Sequence, residues 1–172
     1  MPVLLPEGLT IVPFAGDEAL GAQARTFCLQ VIKDTYGYDY TPAWHEDLDS
    51  LTQPHGHYDV AQRSRFFIVQ NAAGEVLGTA GLRGLWWKPN MVELLKEIYP
   101  HPQTVGSLWR MYLHPSIRKQ GVGNALIQLC HNAAKAHGYQ HMYLHCETKA
   151  NRLRQYYQTY GYNCILEEPD TA

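Results

Sequence analysis

Long apolar runs are missing from this sequence of 172 residues. None approaches the roughly 18 residues that a membrane-spanning helix requires, so there is no candidate span. The opening stretch, Met-Pro-Val-Leu-Leu-Pro-Glu-Gly, has no basic segment and too short an apolar run, and a secretory leader is not expected. Charge is sparse and nearly balanced: 14 Lys and Arg face 16 Asp and Glu, for a formal net charge of −2. Composition therefore makes no case for a nucleic-acid partner, a polyanionic surface or a membrane. Cysteine is scarce too. Cys28, Cys130, Cys146 and Cys164 are dispersed without metal-site spacing, and three lie in apolar contexts. They read as reduced, mostly buried thiols of a cytoplasmic protein. Nine histidines are many, but no cluster suggests a metal cage, and no metal is expected. No internal repeat or low-complexity segment occurs. What remains is 45% hydrophobic, enough for one globular domain over residues 1–172 with a substantial core.

The chain is organised around Ser107 to Leu126. Leu108 to Leu113 is rich in aromatic and apolar residues, as strands are. Pro115 and Ser116 break that run, because proline fixes φ and donates no N–H. Further on, Val122, Leu126, Cys130 and Ala133 recur every three or four positions, which is helical spacing. Between strand and helix lies Arg118-Lys119-Gln120-Gly121-Val122-Gly123. The first N–H groups of a helix have no internal partner, and the dipole adds partial positive charge there. Two glycines let a ligand approach the backbone, and Arg118 and Lys119 add full charge, which suits a pyrophosphate. A phosphate loop of the G-x-x-x-x-G-K-[ST] type is absent. The third glycine of a dinucleotide fingerprint is also missing, since Leu126 follows. On the loop alone, glycines that merely permit a turn explain the pattern equally well.

The stretch Leu113-x-Pro115-x-x-Arg118-x-x-Gly121-Val122-Gly123-x-x-Leu126 resembles the acetyl-CoA motif R/Q-x-x-G-x-G/A of GNAT-superfamily N-acetyltransferases. Tyr157-x-x-x-Gly161-Tyr162 resembles the family's second signature, Y-x-x-x-G-F. The two lie in the right order and span Ser107 to Tyr162, about a third of the chain. The resemblance implies an α/β (α+β) fold: a mixed, mostly antiparallel sheet of about six strands with four main helices, splayed at strands 4 and 5. It implies acetyl-CoA as cosubstrate. Its pyrophosphate would lie on the amides of Arg118, Lys119, Gln120, Gly121, Val122, Gly123 and Asn124, and its pantetheine arm along Met111, Tyr112 and Leu113.

The rest of the chain supplies the other elements. Leu9 to Phe14 reads as a strand. Asp17 is a helix N-cap, followed by Leu20, Ala24, Phe27, Cys28, Val31 and Ile32 at helical spacing, with Gly37 as the stop. Thr41 and Pro42 suit N-cap and N1 of a short helix to Leu51. This polar, aromatic region lines the acceptor pocket in the resembled family. It makes Trp44, His45, Glu46 and Asp47 candidate substrate contacts, the alternative being a solvated loop with Trp44 tucked onto the core. His55-Gly56-His57 reads as a polar turn. Arg65 to Gln70 and Glu75 to Leu82 form a hairpin about Asn71-Ala72-Ala73-Gly74. Asn90 caps an extra helix, Met91 to Tyr99, with Met91, Leu94, Leu95 and Ile98 on one face. Trp86 and Trp87 either cover the active-site mouth or pack that helix down. The third main helix ends near His137, with Gly138 as its stop. His141 to Cys146 is the fifth strand, Thr148 or Lys149 to Tyr160 the fourth main helix, and Tyr162 to Glu167 a final strand.

A primary amine is neutral only about once in two to three thousand molecules at pH 7, so acetyl transfer to nitrogen needs help with a proton. Attack on the thioester builds negative charge on its oxygen through a tetrahedral intermediate, which a backbone N–H of the central strand can stabilise. An acid can then protonate the departing thiolate. By the resemblance, Tyr157 is that acid. The base is open. The fourth strand carries no carboxylate, and Ser107 stands where many relatives have glutamate. Glu46, Asp47, His45 and His145 are the candidates, and the acids around Glu46 to Asp49 could instead attract a cationic amine. A small-molecule amine is the expected acceptor, with protein N-termini or lysines, or a silent acyl-CoA-binding module, as alternatives. Family members end on two strands after the last helix, whereas about ten residues follow Tyr162 here. The sheet edge is thus open, covered, or paired in a homodimer.

Overall fold

The computed structural model describes residues 4–54, 56–146 and 151–168. Among them the elements run β1 (Thr10–Pro13), α1 (Glu18–Tyr36), α2 (Pro42–Asp49), β2 (Arg65–Gln70), β3 (Val76–Gly84), α3 (Pro89–Leu94), β4 (Val105–Leu113), α4 (Val122–Ala136), β5 (His141–Tyr143) and α5 (Asn151–Gln158). The strands form one sheet in the order β1-β2-β3-β4-β5. Neighbours are antiparallel except β4 and β5, which run parallel. The mixed, mostly antiparallel α/β architecture is as the sequence suggested, with one strand fewer.

Period-two alternation in β2 builds a core on each face of the sheet. Phe66 and Ile68 pack with Ala24, Cys28 and Ile32 of α1 and with Leu48, Leu51 and Tyr58. Phe67 and Val69 point the other way and pack with Ala80, Leu108 and the α4 residues Val122, Leu126, Ile127 and Cys130. Each such large side chain contributes about 1.5–3 kcal/mol when fully buried. The helix ends follow their chemistry. Asp17 accepts a hydrogen bond from the Leu20 N–H at 3.1 Å, and Gly37 closes α1 in the left-handed region at φ 74°. Gly138 has φ 82° just beyond α4, as its position after His137 predicts.

Four expectations are corrected. The segment 162–168 is not a strand. Ile165 and Leu166 are exposed, so no apolar face is buried to favour a ladder. Side chains hold it instead: Tyr162 shares a 2.7 Å hydrogen bond with His131, and Glu167 pairs with Arg154 at 2.9 Å. The extra helix starts at Pro89 rather than after an Asn90 cap and ends at Leu94. Of its expected face only Met91 and Leu95 are buried, against Leu85, Val105 and Tyr143. β5 stops at Tyr143, short of Cys146. The described part of α5 begins at Asn151; Thr148 and Lys149, its expected start, lie outside the described residues, as does His55. No helix among the described residues is long and apolar enough to cross a membrane.

Candidate active site

Two departures from a regular sheet meet in β4. β5 accompanies it only from Val105 to Ser107, leaving the edge from Leu108 to Leu113 without a strand partner among the described residues. On the other side the register against β3 slips. Gly81 faces Trp109 and Thr79 faces Tyr112, so β4 carries one residue more than β3 in that interval. This is a β-bulge. It turns on Arg110, whose φ of 48° lies in the left-handed region. Such a conformation costs a non-glycine residue about 1–3 kcal/mol. Two interactions hold it. The Thr79 hydroxyl donates to the Arg110 carbonyl at 2.7 Å, and the Arg110 guanidinium grips Asp47 through Nη2 at 2.7 Å and Nε at 3.0 Å.

At one end of this open edge lies the glycine loop. Lys119 and Gly121 have φ of 60° and 83°, and α4 starts at Val122 with no side-chain cap. Its first amides are therefore available to an external acceptor. A Cβ at Gly121 would meet nothing within 4 Å, so its conformation, not crowding, requires glycine. Gly123 differs. A Cβ there would collide with the Tyr156 hydroxyl, so this glycine admits the neighbouring helix α5. Arg118 Nε donates to the Leu113 carbonyl at 3.1 Å and ties the loop to the strand end. Lys119 is exposed and Val122 buried, so Val122 can offer only backbone. The uncapped amides, open space and positive charge fit a pyrophosphate.

At the other end is a cavity of about 640 Å³. Its floor is the Asp47–Arg110 pair, completed by the Tyr58 hydroxyl donating to Asp47 at 2.6 Å. Burial opposes ionisation of Asp47, but Arg110 and Tyr58 outweigh it and hold the carboxyl below its usual range. One wall is cationic and aromatic. The buried Arg83 guanidinium lies 4.6 Å from the Trp87 ring and 4.4 Å from the Trp109 ring, and the Lys88 ammonium lies 4.5 Å from Trp109. Burial lowers the pKa of both Arg83 and Lys88. The rim holds two histidine–carboxylate pairs, His57 with Glu46 at 3.6 Å and His145 with Glu168 at 3.3 Å.

Of the residues singled out from the sequence, Trp44, Glu46, Asp47, Tyr112 and His145 line this cavity. Asp47 reaches it with both carboxylate oxygens already bonded. His45 does not line it. It is buried at a kink in α2 (φ −120°, ψ 19°), where its Nδ1 accepts from the Thr41 N–H at 2.9 Å. Tyr157 is 8% exposed, packed with Val122 and Leu126 and edge-on to Tyr156 and Tyr162. Burial, reinforced by Tyr156, Cys146, Tyr162 and Tyr36, raises its pKa and keeps it protonated. Trp86 stacks on Tyr139 rather than on α3, while Trp87 lines the cavity.

Sequence reasoning missed Arg83, Lys88, His57, Trp109, Arg110 and Glu168. The available signal was Arg83 itself, the one charge in a strand otherwise composed of glycine, apolar residues and Thr79.

A half-partnered, bulged β4 thus joins an uncapped helix N-terminus at one end to a polar cavity at the other. The model of the acetyltransferase (GNAT) family matches residues 27–162, and the chain belongs to that family. Solved structures agree in fold. A GNAT-family acetyltransferase from Staphylococcus aureus Mu50 superposes with a TM-score of 0.68 at 16% identity, covering 89% of this chain and 83% of its own. An acetyltransferase from Streptococcus agalactiae 2603 gives 0.66 at 16% identity, covering 96% and 94%. An aminoglycoside acetyltransferase from an uncultured soil metagenomic sample, in complex with sisomicin, gives 0.62 at 12% identity, covering 96% and 97%. No curated protein matches the sequence.

Proposed function

We propose that the protein transfers the acetyl group of acetyl-CoA to the nitrogen of a small-molecule amine in the cytoplasm. The carrying observation is the open edge of β4 from Leu108 to Leu113, which joins the uncapped start of α4 to the cavity. The loop amides from Arg118 to Asn124 would bind the pyrophosphate, and the β4 edge at Met111, Tyr112 and Leu113 the pantetheine arm. The cosubstrate supplies an activated acyl group. At the bulge, a β4 amide freed from the β3 ladder would donate to the carbonyl oxygen as charge develops. A volume of about 640 Å³ suits a small acceptor rather than a folded one.

His145 acts as base in this scheme. Its Nε2 lies 3.3 Å from Glu168, and with a proton on that nitrogen Nδ1 would have a lone pair for the incoming amine. Tyr157, held protonated by burial, donates to the departing thiolate. Release of free thiol from acetyl-CoA, screened against a panel of small amines, tests the function. We expect turnover with at least one amine, and a fall of about 10²-fold or more in turnover for Tyr157→Phe with cofactor affinity largely spared. Absence of turnover with every amine would favour a silent acyl-CoA-binding module. Unaltered turnover in Tyr157→Phe, with chemistry limiting, would remove it as the acid.

A further inference from the structure

Three residues that line the cavity carry buried hydrogen-bond donors that have nothing to donate to. Among the described residues, Arg83 Nε, Trp87 Nε1 and Trp109 Nε1 are buried N–H groups without an acceptor. All three belong to residues that line this one cavity. Buried donors are normally paired, and an orphan is a strong destabilising feature. Three together, all of the same polarity, describe a missing acceptor rather than three separate packing faults.

Charge agrees with polarity. Arg83 is 4% exposed, and the contact described for its guanidinium terminus is a 3.2 Å hydrogen bond to His57 Nδ1, a neutral partner. Lys88 also stands over the Trp109 ring, at 4.5 Å. The one buried carboxylate nearby, Asp47, is committed to Arg110 and Tyr58. A buried arginine without its own carboxylate is an expensive arrangement unless a ligand brings one.

Resting on the acetyl-transfer function proposed above, we infer that the acceptor is an amine bearing a carboxylate, an amino acid or close analogue, whose carboxylate sits against Arg83, Trp87 and Trp109. A carboxylate accepts only, offers two coplanar oxygens with four lone-pair directions, and matches the planar fork of a guanidinium. Phosphate is disfavoured, because the rim carries the carboxylates of Glu46 and Glu168, which repel a second negative charge. Those same rim carboxylates attract an ammonium, so the cavity carries a charge for each group of a zwitterion. In the reaction the bound ammonium first gives one proton to His145; the amine nitrogen then bonds to the thioester carbonyl carbon, and the second proton it sheds replaces the one that Tyr157 gives up. The carbon–sulfur bond breaks, and the thiolate leaves with the electron pair and takes a proton from Tyr157. The products are an N-acetyl amino acid and coenzyme A.

The test is calorimetric titration of the whole protein with the common α-amino acids, each against its carboxamide, with phosphoethanolamine and inorganic phosphate as further arms. Arg83→Met and Trp109→Phe are titrated alongside, the second removing one indole N–H while keeping a ring. The expected result is binding of at least one amino acid about tenfold or more tighter than its carboxamide. That preference should vanish in Arg83→Met and narrow in Trp109→Phe. If Arg83→Met does not fold, Trp109→Phe decides. The inference is overturned if carboxamides bind as well, if the phosphate compounds bind tighter, if no amino acid binds, or if the preference survives the decisive variant. Selective binding without thiol release from acetyl-CoA would sink the acetyl-transfer function and leave the carboxylate site standing. Turnover of plain amines with no carboxylate preference would do the reverse.

Discussion

His145 and His57 face the same cavity, but their ring nitrogens are engaged differently. Arginine can only donate, so His57 Nδ1 accepts from Arg83 and its proton sits on Nε2, toward Glu46. Burial and the adjacent Arg83 charge lower its pKa, which keeps the ring neutral and locked in that tautomer. His145 turns Nε2 to Glu168, which in the proposed scheme leaves Nδ1 to take the proton. His145→Ala should therefore lower the turnover rate and shift the limb of the pH–rate profile along which activity rises with pH. Glu46→Gln should leave that limb in place. The opposite pattern would make Glu46 the base, and no change in either would leave the proton to water. The sequence left Glu46, Asp47, His45 and His145 all open as the base, because a side chain's partners can lie far apart in the chain: Glu168 is 23 residues from His145.

Among the elements, β4 and its bulge carry the site, and the bulge depends on a neighbour from α2. Asp47 is 2% exposed and holds Arg110, whose backbone sits at φ 48°. Removing one partner of a buried pair leaves an uncompensated charge. Asp47→Ala should cost about 3–5 kcal/mol in urea unfolding, and Arg110→Met with Asp47→Leu together should cost less than the single change. A loss below about 1 kcal/mol for Asp47→Ala would mean that the pair does not hold the bulge. The strand-loop-helix run from β4 to α4 was legible, because its apolar period changes from that of a strand to that of a helix across Pro115 and Gly121. The bulge was not, since no residue type announces an arginine in the left-handed region. Segment 162–168 misled for the converse reason: its residues suit a strand, but its side chains bind α4 and α5 instead.

At the scale of the molecule, four histidines tie stability to pH. His45, His57, His131 and His137 all have pKa values lowered chiefly by burial. In the unfolded chain they return to about 6.5, so below that pH the unfolded state binds more protons than the native state. Their contribution is complete above about pH 6.5 and is lost as pH falls toward the lowered native values. Asp47, with its low native pKa, does not titrate in that window. The urea midpoint should drop between pH 7.5 and pH 5.5, and an unchanged midpoint would contradict the burial of these rings.

In the proposed function, the loop from Arg118 to Gly123 holds the pyrophosphate of acetyl-CoA and the chemistry of the site is arranged around it. Calorimetric titration with acetyl-CoA and, separately, coenzyme A tests it most directly, with Gly121→Glu as control. A Cβ at Gly121 meets no atom within 4 Å, although the left-handed backbone there disfavours any side chain, so near-ultraviolet circular dichroism first confirms that the variant is folded. Micromolar-range binding to the native protein, abolished in folded Gly121→Glu, is the predicted result. No binding to a folded native sample, or unchanged affinity in the variant, would contradict it.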